Sequence, residues 1–375
     1  MYFDPTPDRQ NPELPEPPTD EEIREVLDSP FCPLNNIVVG PKNAKNLHKL
    51  RLFAFTAYKR ADHSCRGMNF GIYAGPGQGK THVVKAFAKT IGIPFVFVQS
   101  DTLKSTWQLF QLIAKAFENT NTPLVPLEDG FSFMIPPCIV FFDEVHSLSK
   151  DLRTGGLLNA MEFNDGWLRT TPGGTRTEMY TIDCQNVCWI GATTDPGLLF
   201  KESQAFYDRL DNHLIWAPAG REEIKQIIRD KYRHFPAEAC EQVAFYNRVP
   251  RLAIAFAKSL EMERNFSDCS WSEAARKVAE MNGIDQYGMP YQLVEILKAL
   301  GQRPISKNNL LVVSRVRSEE LDKMILPTLM EETDDRPALV QVTSKGYAIT
   351  RAGLIELDRR KIPHRGDRVS AETIG

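Results

Sequence analysis

The 375-residue sequence has no apolar run long enough to cross a bilayer and no leader-like start, so a soluble cytoplasmic protein without a membrane role is expected. It also lacks any C-x-x-C pairing. Its 7 cysteines are scattered and odd in number, which argues against a disulfide framework and for buried reduced thiols. Cys184 and Cys188 lie four apart, but no further ligands accompany them, so no metal is expected there. A charge excess is missing too: 45 Lys and Arg stand against 48 Asp and Glu, a net charge of −3. No global basic field advertises nucleic acid, so such a role needs a local basic surface. What is present is ordinary for a globular chain, 42% hydrophobic and 25% charged, and long enough for two or three domains.

One stretch organises the rest. Residues 74–81 read A-G-P-G-Q-G-K-T. A short apolar run of strand type precedes it, and a segment with helical spacing, H-V-V-K-A-F-A-K-T-I, follows from His82. Strand, glycine-rich turn and helix in that order are what a phosphate-binding loop needs. Gly75, Gly77 and Gly79, with Pro76 and Gln78 between them, let the backbone N–H groups turn inward to phosphate oxygens. The helix N-terminus adds its dipole. Lys80 is placed to reach the β- and γ-phosphates, the Thr81 hydroxyl to hold Mg²⁺, and His82 to border the nucleotide. The cofactors predicted are therefore ATP and Mg²⁺.

Residues 1–18 are rich in Pro, Asp and Glu and cannot bury enough apolar surface to order themselves. Thr19 with Glu22 three residues on predicts a capped short helix. Residues 33–40 lead into a helix over about 42–59. Such a lead-in can line an adenine pocket, with Ile37, Val38 and Val39 as apolar walls, although three apolar residues in a row are often plain core. Residues 95–99 read as a second strand. Residues 122–137 read as a Pro-rich loop.

Residues 138–142, C-I-V-F-F, form a continuous apolar run of the kind found in a parallel strand covered on both faces. It ends in Asp143 and Glu144. Acidic residues there sit beside the phosphate loop of an open α/β sheet. Asp143 is predicted to hold Mg²⁺ through water, and Glu144 to act as the base for water. A third strand, V-C-W-I-G-A-T-T over residues 187–194, ends in Thr194, which could bond the γ-phosphate or the attacking water.

The order G-P-G-Q-G-K-T, F-F-D-E-V-H-S-L-S, I-G-A-T-T-D-P-G-L-L resembles an AAA+ ATPase, and within that superfamily the RuvB family of Holliday-junction branch-migration motors. The resemblance runs from about residue 33 to about residue 361, with gaps. It implies that Lys80 and Thr81 are the Walker A pair, Asp143 and Glu144 the Walker B pair, and Thr194 sensor 1. F-Y-D-R-L at 206–210 resembles the arginine-finger segment, with Arg209 as the finger entering a neighbouring subunit. V-P-R-L-A at 249–253 resembles the sensor-2 segment, with Arg251 able to touch the γ-phosphate.

Helical stripes from residue 289 (Tyr291, Val294, Leu297, Leu300; then Leu321, Met324, Ile325, Leu329) precede two alternating strands. Helices followed by a hairpin suggest a winged helix, and T-S-K-G-Y-A-I-T resembles the family's wing. Lys345 at its tip, Arg351 beyond it, and Arg315, Arg317 and Lys323 nearby are the candidate DNA contacts. Residues 167–182 have hairpin form, where the family's hairpin docks its junction-binding partner by an apolar tip. Here the tip carries Thr170, Thr171, Thr175 and Arg176, so docking of a RuvA-type partner there is not expected. Trp167, Leu168, Met179 and Tyr180 are expected to pack at its base. Asp195 stands where the family usually has a basic residue.

The fold class expected is α/β: an AAA+ P-loop ATPase domain with a parallel sheet, a helical lid domain and a C-terminal winged-helix domain. The divisions are 1–30 tail and short helix, 31–218 ATPase, 219–288 lid and 289–375 winged helix. The function expected is an ATP-dependent motor on DNA, a four-way junction or duplex, working as a homo-oligomeric ring, expected to be a hexamer, with a junction-binding partner protein of open type. Two alternatives stand beside it. One is a helicase loader or replication initiator acting as an ATP switch. The other is an ATP-controlled scaffold whose winged helix binds protein.

Overall fold

Thr19 opens the first helix with a reciprocal cap: its hydroxyl accepts the Glu22 N–H, and the Glu22 carboxylate accepts the Thr19 N–H at 2.8 Å. A computed structural model describes residues 17–60, 64–118, 124–127, 132–162, 166–171, 179–330, 332 and 337–365. The chain divides into two units, Met1–Pro218 and Ala219–Gly375.

In the first unit α1 (Asp20–Asp28) and α2 (Pro41–Tyr58) precede β1 (Phe70–Tyr73), α3 (Lys80–Ile91), β2 (Phe95–Gln99) and α4 (Thr106–Phe117). Two short strands, β3 (Val125–Pro126) and β4 (Ser132–Met134), come before β5 (Cys138–Asp143). Then follow α5 (Lys150–Thr154), α6 (Gly156–Ala160), β6 (Trp167–Thr170), β7 (Tyr180–Asp183), β8 (Val187–Thr193), α7 (Pro196–Glu202), α8 (Gln204–Arg209) and β9 (Asn212–Ile215).

Five of these strands form a parallel sheet in the order β2-β5-β8-β1-β9. The continuous apolar runs are explained by its two covered faces. Along β5, Ile139 and Phe141 enter one core, while Cys138, Val140 and Phe142 enter the other. Along β8, Cys188, Ile190 and Ala192 join the first core, and Val187 and Trp189 the second. The alternation is the two-residue period of a strand, and here both phases are apolar. Because β5, β8 and β1 are neighbours, the segments that leave their carboxyl ends are neighbours too.

The stretch read as a loop, 122–137, carries β3 and β4. With β7 and β6 they make a second sheet, β3-β4-β7-β6. Strands of two and three residues are too short for any periodicity to reveal. The hairpin exists: β6 runs antiparallel to β7, with Thr170 opposite Tyr180. Its tip, residues 172–178, with Thr175 and Arg176, lies outside the described residues. Leu168 is buried at its base and Tyr180 packs near Trp107 and Phe133. Met179, expected to pack there as well, is 55% exposed, because the paired strand begins only at Tyr180.

In the second unit α9 (Arg221–Lys231), α10 (Ala237–Tyr246), α11 (Pro250–Ser267) and α12 (Trp271–Met281) share one core, with Ile224, Val243, Phe256 and Val278 in it. α13 (Tyr291–Leu300) and α14 (Lys307–Ser314) follow, then α15 (Ser318–Glu320), a π turn at Leu321–Ile325 and α16 (Leu326–Met330). The hairpin β10 (Val340–Thr343) and β11 (Gly346–Ile349) and α17 (Arg351–Arg359) close it. These elements share a second core around Leu297, Leu310, Leu329 and Leu357. Tyr291, expected on the apolar stripe of α13, is 50% exposed, and the buried face is Leu293, Val294, Ile296, Leu297 and Leu300.

All seven cysteines are free thiols, six of them buried. Burial pushes the thiols of Cys138, Cys184 and Cys188 up, so they stay protonated and inert. Among the described residues no group of three or more His, Cys, Asp or Glu gathers to hold a metal, and no helix is long and apolar enough to cross a membrane.

Candidate active site

The loop after β1 turns back through two left-handed glycines, Gly77 (φ 74°) and Gly79 (φ 89°). A side chain in that region is strained, so glycine is what the turn needs. Gly79 caps α3, and a Cβ there would meet nothing within 4 Å, so the space over the loop is open. Gly75 and Pro76 are exposed, Gln78 and Thr81 half-buried, and His82 exposed on the first turn of α3. The first N–H groups of a helix have no partner within it, and together with a lysine they suit an anion.

Lys80, the first residue of α3, is only 7% exposed. Its ammonium donates to the Ala74 carbonyl at 3.1 Å and lies 3.5 Å from Glu144 Oε1. Glu144 follows directly on β5 and adopts a left-handed backbone, φ 49° and ψ 56°. For a residue with a Cβ this costs roughly 1–2 kcal/mol. It ends the strand abruptly and turns the chain into a single 3-10 turn, Val145–Ser147. Gly191 on β8 makes room for that turn: a Cβ there would come within 3.2 Å of Val145 Cγ1.

Glu144 is also where the third segment arrives. Its Oε2 accepts both the N–H and the hydroxyl of Thr194, each at 3.0 Å. Thus Lys80 at the start of α3, Glu144 after β5 and Thr194 after β8 meet on one carboxylate. Asp143 ends β5 half-buried, and α3 packs against that strand. Asp195 caps α7, accepting the Leu198 N–H at 2.9 Å, which accounts for an acid at that position.

Of the other predicted residues, some belong to the first unit and some to the second. Val38 and Val39 are half-buried before α2, and Val39 packs on the core beneath α3. Arg209 ends α8 and is held within its own chain. Its guanidinium donates to the Leu158 carbonyl at 2.9 Å and the Ala205 carbonyl at 3.1 Å, and pairs with Glu162. Arg251 is exposed on the first turn of α11 in the second unit. In that unit Lys345 is exposed at the turn between β10 and β11, Arg351 at the start of α17, and Arg315 and Arg317 after α14. The side chain of Lys323 lies outside the described residues.

Comparison with known proteins agrees with this geometry. Residues 70–216 match the family described as ATPase family associated with various cellular activities (AAA). The Holliday junction branch migration complex subunit RuvB of Mycoplasmopsis synoviae is 26% identical over 306 residues, 78% of this chain and 87% of that protein. RuvB of Campylobacter hominis is 23% identical over 321 residues, 82% and 84% of the two chains. The fold of a Thermotoga maritima RuvB mutant matches with a TM-score of 0.63 at 21% identity, over 87% of this chain and 97% of that one. Residues 70–216 thus carry an AAA ATPase domain, and over most of its length the chain is similar to RuvB proteins.

In the ATPase domain two groupings escape a linear reading. The Tyr73 hydroxyl lies 2.7 Å from His213 Nδ1, and Tyr207 stacks on His213 at 4.2 Å between centroids. The stack ties β1, which carries the phosphate loop, to α8, which carries Arg209. Burial pulls the His213 imidazole below its usual value, against the pull of Asp208 and Asp211, and pushes the Tyr73 hydroxyl up. The second grouping joins His146 to Thr193. Its signal was in view as the His of D-E-V-H, but nothing in the sequence says what it faces.

The site predicts a clean division between binding and chemistry. Lys80→Ala should lose ATP affinity, because the phosphates lose a buried cation. Glu144→Gln should bind ATP as the parent does and stop turning it over, because the water loses its base. Equilibrium nucleotide binding and steady-state ATPase rates measure the two, and normal turnover by Glu144→Gln would remove that residue from the reaction.

Proposed function

We propose that this chain is an ATP-driven motor acting on DNA, of the kind that drives branch migration of Holliday junctions, and that it works as a ring in the cytoplasm. The observation that carries the reading is the meeting of Lys80, Glu144 and Thr194 on one carboxylate, in a chain whose likeness to RuvB proteins extends past the ATPase domain into the second unit.

The chemistry follows from the residues present. ATP would place its phosphates against the loop N–H groups and the Lys80 ammonium. A carboxylate at Asp143 and a hydroxyl at Thr81, with α3 packed on β5, are the oxygen donors a hard dication takes alongside phosphate. Thr81 and, through water, Asp143 would hold Mg²⁺, whose charge offsets that of the phosphates. Once Lys80 turns to phosphate, Glu144 is released from it and takes a proton from water as that water attacks. Thr194 keeps the carboxylate oriented through its two donors.

Arg209 is proposed to enter the site of the neighbouring subunit in a ring, as a hexamer would allow, and to offset transition-state charge there. That role requires it to leave Glu162. Lys345, Arg351, Arg315 and Arg317 are exposed and would meet DNA phosphates, and Lys323 is a further candidate by sequence. The polar hairpin sequence favours either loading on DNA without a RuvA-type partner or a different, more polar partner.

Two experiments test this reading. Hydrolysis should be stimulated more by a four-way junction than by plain duplex, and the junction should come apart in an ATP-dependent way. Stable ATP-bound DNA complexes with slow turnover would instead mark a loader, and absence of DNA affinity a scaffold. For the ring, Arg209→Ala should bind ATP but hydrolyse it poorly. Mixed with Lys80→Ala it should regain some activity, since some interfaces then pair an intact loop with an intact finger. Mixed oligomers that never exceed the sum of the two variants would remove Arg209 from that role.

A further inference from the structure

Two residues after Glu144 stands a histidine that the reaction as described does not use. His146 lies in the 3-10 turn Val145–Ser147, which packs against β8 and α7. Its side chain is 16% exposed. Its Nδ1 lies 2.6 Å from Thr193 Oγ and 3.4 Å from Glu144 Oε2. Thr193 is fully buried at the end of β8, where a hydroxyl left unbonded is costly.

A hydroxyl has one proton and two lone pairs. The Thr193 oxygen accepts the Asp195 N–H at 2.9 Å, and the imidazole engages what remains. Thr194, the next residue, gives both of its donors to Glu144. Asp195 then caps α7. The three consecutive residues at 193–195 are therefore pinned at three places, and His146 holds the first of them from the Walker B side.

We propose that His146 is a positioning residue for ATP hydrolysis: it fixes the buried end of β8 through Thr193, so that Thr194 meets the carboxylate of Glu144. It acts through other side chains and touches neither phosphate nor water. The inference rests on Glu144 being the base. Without the imidazole, the Thr193 hydroxyl keeps only the Asp195 N–H and the end of β8 is freer to turn. The two Thr194 donors then drift from Oε2, and the base spends less time in its productive orientation. Displacements of an ångström or less are enough to slow such reactions by up to about 10²-fold. The phosphate loop is untouched, so nucleotide binding should be spared.

The test is steady-state ATPase kinetics on the full chain. His146→Ala should lower kcat about tenfold with KM for ATP unchanged within about twofold, the signature of an interaction that matters in the transition state. His146→Asn, which keeps a polar amide facing Thr193, should recover most of the rate. Thr193→Val should show the same loss as His146→Ala. The double variant should be no slower than the worse single one, because the two residues act as one link. Multiplying losses in the double variant, an unchanged kcat in His146→Ala, or a KM that rises as kcat falls would each overturn the proposal. If His146→Ala does not fold, Thr193→Val decides: a parental rate overturns the proposal and a slow rate with parental KM supports it. Should Glu144→Gln retain turnover, the base assignment fails first. An inactive Glu144→Gln with multiplying losses in the cycle sinks the role of His146 alone.

Discussion

A nearly buried ammonium needs a counter-charge, and here the Lys80 ammonium finds the carboxylate of Glu144. That single contact sets much else in the site. The carboxylate must lie over the loop, so its residue leaves the strand by a left-handed turn that a Cβ makes unfavourable. It must also be held at its other oxygen, and Thr194 supplies an N–H and a hydroxyl for that. Backbone strain at Glu144 is then the consequence of putting one carboxylate between two strands' ends. Such strain persists where surrounding bonds over-determine it.

The sheet makes this meeting possible. β5, β8 and β1 lie side by side; β5 and β8 are apolar in both phases of their alternation, so the polar groups they deliver are at their ends. Gly191 lets the turn after Glu144 lie flat on β8. The same ends carry the means to couple the site to α8. Tyr73 follows from β1, His213 from β9 and Tyr207 from α8 itself, in one stack. Arg209, two residues beyond Tyr207, is anchored to Leu158, Ala205 and Glu162 in the isolated subunit.

Much of this was legible in the residues. The glycine spacing of the phosphate loop, the apolar runs of β5 and β8 and their polar ends announced a parallel sheet and an ATPase. The pairings were not legible. Thr194 and Glu144 are 50 residues apart, and Tyr73 and His213 are 140 apart; periodicity within a window carries no information about such contacts. Thr194 was expected to bond the γ-phosphate or the attacking water; its two donors to the Glu144 carboxylate were not foreseen. The histidine of D-E-V-H passed as context because only the fold brings it to Thr193. β3 and β4 escaped because two or three residues make no pattern, and Met179 because the point where strand pairing stops is set by partners across the sheet. Arg209 was singled out by its neighbours in sequence, but its bond to Glu162 was not legible there.

The central claim is that Thr194 orients the base and does not serve chiefly to bind nucleotide. Thr194→Val removes the hydroxyl and keeps the shape and the backbone N–H. Single-turnover hydrolysis with ATP prebound separates orientation from affinity. The account predicts parental ATP affinity with a hydrolysis step slowed by about tenfold or more, the scale of losing one aimed donor. Hydrolysis at the parental rate, or a loss confined to ATP affinity, would contradict it.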